Sequence, residues 1–249
     1  MQSSNPALNT NFNKNNVTLH AVPLGEAMTV EGTTNKTAIL LLCVMATACW
    51  TWMKFAQGGA AAVTPWMYGG AIVGFILSLV TIFKTVWSPI TAPLYSLCQG
   101  LFIGGISAMM QASFPGIAFQ AAALTFGTLA AMLILFRTGM IQMTDKLRLG
   151  IFAATGAIAL VYLVSFVLSF FGVHPSFIYG NGAFSIGFSL IVVAVAAFNL
   201  IVDFDFISQS AKRGLPKYME WYGAFALMVT LVWLYIEMLR LLAKVRSRD

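Results

Sequence analysis

Three carboxylate residues, Asp203, Asp205 and Glu237, lie at or inside the last two long apolar segments of a chain in which only 9% of residues are charged. A charged side chain at the centre of a bilayer costs about 2.5 to 3.5 kcal/mol on insertion scales. Such residues usually face a cavity or a partner and mark a pathway for ions or protons. Their placement points to transport rather than metabolism.

Asp203 and Asp205 are two residues apart, about 200° around a helix, so we expect one to face inward and the other to face the interface. If Asp203 approached Glu237, the two could not comfortably be ionised together, and the pair would sense protons. Two carboxylates could also bind Ca²⁺ transiently, and protons would compete with the cation. One pair would then provide a cation site and pH gating.

Depth along the last helix complicates this pairing. Glu237 lies about 27 Å along a helix that starts at Tyr218, whereas Asp203 lies near the side from which that helix starts. A direct pair therefore requires residues 216–222 to form an interfacial turn or a helical extension. Glu220 is the alternative partner for Asp203 or Asp205, and Asp205 and Glu220 could also simply end their helices beside basic loop residues.

Arg240 is three residues after Glu237, so the two share a helical face and could form a local ion pair. Snorkelling of Arg240 toward the interface is the equally weighted alternative.

The elements that must position these residues are membrane helices. With 59% hydrophobic residues in 249, the chain has too little polar surface for a water-soluble globule. Apolar windows long enough to cross about 30 Å of hydrocarbon predict seven spans and an all-α bundle. The windows cover residues 37–55, 64–83, 92–110, 118–136, 149–171, 184–206 and 218–242.

Residues 1–36 are rich in Asn, Ser and Thr and poor in large apolar residues, so we expect a disordered tail, with residues 37–249 forming the transmembrane domain. Of the 14 basic residues, nine fall on the side of the tail and five on the other side. The positive-inside rule then places the N-terminus in the cytoplasm. The basic C-terminal end opposes this placement unless the last segment is re-entrant.

Small residues at Gly70 and Gly74, and at Gly100 and Gly104, share helical faces and predict close helix packing in preference to pore lining. No phosphate loop, metal-binding His motif or intramembrane aspartyl-protease signature is present in the sequence, and a serine-protease-like fragment at residues 105–107 lacks a histidine on another buried helix. We therefore expect no enzymatic activity and no cofactor. The basic residues are spread over several loops without a nucleic-acid-binding motif.

Several stretches together resemble the bacterial branch of the Bax inhibitor family. They are the start Ser3-Ser4-Asn5-Pro6, residues 92–104 of the third span, the turn Phe114-Pro115-Gly116-Ile117, residues 202–207 and the ending Trp233–Leu242. The likeness covers nearly the whole membrane portion. It implies seven helices with the last one central, in the bacterial plasma (inner) membrane.

The resemblance also implies a pH-sensitive Ca²⁺ leak gated by one carboxylate from each of the last two helices, which map to Asp203 and Glu237. The family's Asp in the last helix is Glu237 here, and Gln99 and Gln111 stand where related bacterial sequences are expected to carry Glu. Gln99 is therefore a secondary site candidate, as is Glu220.

Two further functions stay open. The chain could be a non-conducting adaptor that restrains another membrane protein or a membrane protease, with the tail as the docking element. It could also be a proton-coupled carrier of small solutes, which would show saturable uptake.

Overall fold

The computed structural model describes residues 27–173 and 175–248, and these fold into helices without a β-strand. The predicted all-α class is confirmed. The long helices are α1 (Val30–Phe83), α2 (Ser88–Ser113), α3 (Ile117–Arg137), α4 (Asp145–Ser169), α6 (Ala183–Lys212) and α7 (Met219–Arg246). Two short elements join them, a 3-10 turn at Thr85–Trp87 and α5 (Ser176–Tyr179).

Helix α1 is 54 residues long and bends sharply at Gly59, where φ is 64° and ψ is −158°. A straight helix of this length would measure about 80 Å, far more than the hydrocarbon thickness. Positive φ is accessible to glycine at little cost, so Gly59 lets α1 turn back on itself. Residues 30–58 and residues 60–83 then form two antiparallel arms, hereafter α1a and α1b.

Six helices among the described residues are long and apolar enough to cross a membrane, with α1 counted once. Counting α1a and α1b separately gives the predicted seven spans. The helix begins at Val30, seven residues before the predicted boundary at residue 37, and Thr29 caps it by accepting a hydrogen bond from the Gly32 N–H at 2.9 Å. Residues 1–26 of the predicted tail lie outside the described residues.

The predicted small-residue faces form the contact between α1 and α2. A Cβ atom added to Gly104 would lie 2.5 Å from the Ala48 carbonyl oxygen, and one added to Gly70 would lie 2.6 Å from that of Cys98. Backbones can approach this closely only where no side chain intervenes. The prediction of helix packing at these positions is confirmed.

Helix α7 occupies the centre of the bundle, as the resemblance implies. It is the most buried span, and it packs against α1, α2, α3 and α6. One apolar cluster joins Leu231 and Leu234 of α7 to α3 and α6, and a second joins Phe225 and Met228 to α1a and α2. The helix is unbroken over 28 residues, about 42 Å, which is long enough to cross the hydrocarbon of a bilayer.

Two ends of the bundle can be defined from interhelix hydrogen bonds. At the first end, Met28 N–H donates to the Leu215 carbonyl at 2.6 Å and the Ser88 hydroxyl to the Tyr218 carbonyl at 2.9 Å. At the second end, Arg246 donates to the Pro115 carbonyl at 2.7 Å. Helix α7 runs from the first end to the second, and α6 runs antiparallel beside it.

Candidate functional site

Helix α7 carries a row of polar side chains through the middle of the bundle. Thr230, Glu237 and Lys244 are seven residues apart, a spacing that keeps them on nearly the same helical face. All three are buried, with exposures of 7%, 1% and 6%. We call these three residues and their hydrogen-bond partners on α4 and α6 the polar seam.

Asp203 forms the first level of the polar seam, counted from the first end. Its Oδ2 lies 2.6 Å from the Thr230 hydroxyl, across the contact between α6 and α7. The apolar side chains of Leu200, Phe204 and Leu227 belong to the core around this level. Among the described residues, no basic side chain forms a salt bridge with Asp203.

Glu237 forms the second level, where three side chains bond to one another. The Tyr162 hydroxyl of α4 donates to Glu237 Oε1 at 3.0 Å, and Arg240 donates to the same oxygen at 2.9 Å. Arg240 also donates to the Tyr162 oxygen at 2.7 Å, and its guanidinium lies 5.0 Å from the centre of the tyrosine ring. The predicted ion pair between Glu237 and Arg240 is confirmed, and simple snorkelling of Arg240 is not what the structure shows.

The structure does not bring Asp203 and Glu237 together. Thr230, the partner of Asp203, precedes Glu237 by seven residues, which is about 10 Å along α7. Each carboxyl group has its own partners, so the site consists of two levels rather than one shared pair. The difference in depth that complicates the pairing in the sequence is therefore real.

Asp205 faces a different helix from Asp203. Its Oδ2 accepts from Arg148 of α4 at 2.5 Å and from Gln209 at 2.7 Å. Asp203 and Asp205 are two positions apart on α6, and their carboxyl groups face α7 and α4 respectively. The 200° offset between the two positions predicts this difference. Asp205 is paired near the first end and is not part of the polar seam.

Glu220 is fully buried at the first end and bonds to the start of α1, not to Asp203 or Asp205. It accepts from the Thr29 N–H at 2.9 Å and from the Thr29 hydroxyl at 3.0 Å, and it forms an ion pair with Lys36. A more distant contact of 3.7 Å reaches Lys217. Its role as a substitute partner in the carboxylate pair is therefore not supported, and it joins α1 to α7.

Gln99 and Gln111 also lie apart from the polar seam. Gln99 packs where α2 meets α1b, with its Nε2 atom 3.1 Å from the position of a Cβ on Gly74. Gln111 accepts from the Ala118 N–H at 3.4 Å in the turn between α2 and α3. Neither residue adds an oxygen ligand beside Asp203 or Glu237.

Sequence reasoning missed Tyr162, Thr230, Lys244 and its partner Ser189. The sequence around Tyr162 and Ser189 does not indicate a functional role for either residue, because their contacts depend on the rotation of α4 and α6 about their axes. The sequence does indicate a shared polar face for Thr230, Glu237 and Lys244, because residues spaced by seven lie on nearly the same side of a helix. Lys244 bonds to the Ser189 hydroxyl at 2.8 Å and to the Ser185 carbonyl at 3.3 Å.

Within the described ranges, no three His, Cys, Asp or Glu side chains are grouped as metal ligands. Ca²⁺ takes six to eight oxygen ligands when it is held firmly. Asp203 and Glu237 lie at different levels of the polar seam, so their carboxyl groups do not combine into such a ligand set.

The fold and the polar seam define a polytopic helical membrane protein with ionisable groups buried between its last two long helices. Within that class, the chain belongs to the Bax inhibitor 1 like family, whose model matches residues 5–247. The resemblance seen in the sequence is confirmed at the level of the family. No curated protein and no solved structure matches the chain.

Proposed function

We propose that this protein is a pH-regulated cation leak, with Ca²⁺ as the permeant ion, and that the polar seam controls it. The observation that carries the proposal is the pair of buried carboxyl groups at successive levels of α7, Asp203 and Glu237. Buried carboxylates inside membrane spans are expensive and are retained mainly where ions or protons move. Two levels about 10 Å apart give a cation successive oxygen ligands.

The two levels differ in how a negative charge is compensated. At Glu237, the Arg240 guanidinium 2.9 Å away compensates the carboxylate. At Asp203, the bonded partner is the neutral Thr230 hydroxyl. A carboxylate with a cationic neighbour stays ionised more easily than one without. We therefore assign the role of proton sensor to Asp203, the carboxyl group whose bonded partner is neutral.

The hydrogen bonds of Thr230 explain how a proton on Asp203 would favour the closed state. The Thr230 oxygen lies 2.6 Å from Asp203 Oδ2 and 3.3 Å from the Ala226 carbonyl, but a hydroxyl has only one proton to donate. When Asp203 is ionised, Thr230 donates to Asp203 and shares its one proton with the Ala226 carbonyl of its own helix. A protonated Asp203 would instead donate to Thr230 and leave the hydroxyl proton to Ala226. Loss of the Asp203 proton as pH rises leaves one hydroxyl proton for two acceptors, so the hydrogen-bonded chain from Asp203 through Thr230 to Ala226 is no longer complete at the contact between α6 and α7.

The gate in this proposal is the contact between α6 and α7 at the level of Asp203. An ionised Asp203 no longer donates to Thr230 and attracts a cation, either Ca²⁺ or the guanidinium of Arg240. Flux should therefore rise with pH, because the state stabilised by the proton is the closed one. Acidification should reverse the effect.

The test is Ca²⁺ influx into dye-loaded proteoliposomes over a pH series around neutrality, compared with protein-free liposomes. We expect influx above the protein-free level that increases as pH rises. A variant lacking residues 1–26 should conduct equally well, because the polar seam lies wholly in the described helices. Absence of influx at every pH from folded protein would overturn the leak and favour an adaptor that acts on another membrane protein or protease.

A further inference from the structure

The second end of the bundle contains a cavity of about 340 Å³ between α2, α7 and the segment around α5. Its wall is mainly apolar, with Ile106 and Met110 from α2, Leu239 from α7 and Ile178 from α5. The polar groups among its lining residues are Arg240, Lys244, Asn181 and Ser247, and none of the lining residues is acidic. A mostly apolar pocket with a few convergent polar groups is the usual form of a small-molecule site, and this volume falls within the usual range.

The charge of Lys244 distinguishes this cavity from an ordinary packing defect. Lys244 is 6% exposed, and its Nζ donates to two neutral acceptors, Ser189 Oγ and the Ser185 carbonyl. Among the described residues, no carboxylate forms a salt bridge with it. The buried Ser185 hydroxyl beside it bonds to no described residue. Buried charges are normally paired, but Lys244, which lines this cavity, has only neutral hydrogen-bond acceptors among the described residues.

A simple helix-end effect does not account for Lys244. Basic residues in the last turn of a helix are favoured when they interact with its terminal carbonyls. Lys244 instead reaches sideways to α6, where both of its acceptors lie. Residues 237–248 carry four basic side chains and one acidic side chain, Glu237, which already pairs with Arg240. The described residues 237–248 therefore carry a net charge of +3.

We propose that this cavity binds a single-chain anionic amphiphile, a carboxylate with an apolar chain. One uncompensated positive charge calls for a monoanion, because Arg240 is already neutralised by Glu237. The apolar walls from α2 and α7 suit a hydrocarbon chain, and the limited volume suits one chain better than two. The carboxylate would accept hydrogen bonds from Lys244, with Asn181 and Ser247 at the rim.

The test uses a diazirine-labelled dodecanoate with full-length protein in nanodiscs of neutral phosphatidylcholine. Photocrosslinks are mapped to peptides by mass spectrometry, so the readout locates the site without depending on ion flux. We expect saturable labelling of the peptides that contain residues 106–114 and 236–247. Unlabelled dodecanoate should compete, whereas inorganic phosphate and dodecyltrimethylammonium should not.

Two variants distinguish the contribution of the Lys244 charge to binding from the contribution of the cavity volume. Lys244→Met should weaken saturable labelling about tenfold, the effect of losing one charge-assisted hydrogen bond. Ala243→Phe fills the cavity and leaves Lys244 in place, so it should also abolish labelling. Lys84→Met, at an exposed lysine on the other side of the bundle, is the matched control and should leave labelling unchanged.

Three results would overturn the proposal. The first is labelling that does not saturate or that falls outside the two expected segments. The second is equal labelling of the wild type and of both cavity variants when these elute as folded protein. The third is displacement by phosphatidylglycerol at lower concentration than by dodecanoate, which would assign the cavity to a membrane phospholipid.

Discussion

Arg240 holds a position at which three interactions meet. It pairs with Glu237, donates to the Tyr162 oxygen and lies over the tyrosine ring. An arginine in a membrane span is tolerated where such partners compensate its charge. Tyr162 in turn fixes the direction of both charged groups, because its hydroxyl donates to Glu237 and accepts from Arg240. The three residues therefore act as one unit that connects α4 to α7.

Tyr162→Phe tests this unit at the scale of one oxygen atom. The variant keeps the ring beneath Arg240 and removes both hydrogen bonds of the hydroxyl. We expect thermal stability in detergent to fall by about 1 to 3 kcal/mol, the cost of leaving charged groups with fewer bonds. Tyr68→Phe, at a tyrosine that is 60% exposed on α1b, is the control and should be neutral. Equal melting temperatures for Tyr162→Phe and the wild type would show that the hydroxyl contributes nothing.

At the scale of elements, α1 and α2 pack closely because glycines at their contact have no side chains to keep the two backbones apart. The Gly104 position lies against the backbone of Ala48, which cannot move away as a flexible side chain could. Thr47 adds a hydrogen bond to the Leu97 carbonyl at 2.9 Å across the same contact. Close packing of this kind replaces the hydrophobic driving force that lipid does not supply.

Gly104→Ala should therefore force α1a away from α2. The added Cβ would lie 2.5 Å from the Ala48 carbonyl oxygen and 2.6 Å from its Cα, and overpacking of this kind costs about 1 to 3 kcal/mol. The matched control is Gly127→Ala in α3, where a Cβ would meet no atom within 4 Å. The control should be neutral or slightly stabilising, because alanine favours helix. Thermal unfolding of both variants in the same detergent measures the difference, and similar losses in the two would contradict close packing at Gly104.

The sequence predicts the elements well and their mutual contacts poorly. The predicted window at residues 118–136 matches α3 closely, and the spacing of Glu237 and Arg240 is enough to foresee their ion pair. The contacts of Tyr162 with Glu237 and of Lys36 with Glu220 join residues far apart in the chain. Membrane helices are apolar on the lipid side as well as on the bundle side, so hydrophobic periodicity does not fix their rotation or depth.

The start of α1 shows a second reason why the sequence predicts helices better than it predicts their boundaries and contacts. Glu31, Asn35 and Lys36 are polar, and composition therefore assigns them to the tail. In the structure they belong to the first turns of α1, where Lys36 pairs with the buried Glu220 of α7. These turns bond to a residue almost two hundred positions away, a contact that no local pattern can reveal.

At the scale of the whole molecule, the exterior and the interior have opposite characters. Large apolar side chains such as Phe119, Phe83 and Phe184 are about four-fifths exposed, as expected of a surface that faces lipid. The interior along α7 holds Glu220, Thr230, Glu237 and Lys244, all of them buried. Polar groups thus occur at intervals along the central helix from the first end of the bundle to the second. The proposed leak relies on this arrangement.

The most direct test of the proposed function compares Asp203→Asn with Asp145→Asn in the Ca²⁺ influx assay across a pH series. Asp203→Asn fixes a neutral side chain beside Thr230, so we expect low influx that no longer changes with pH. Glu237→Gln should also flatten the profile, because it releases Arg240. Asp145 is fully exposed at the start of α4, and its variant should follow the wild type. An Asp203→Asn protein that keeps the pH profile of the wild type would contradict the role of Asp203 as the proton sensor.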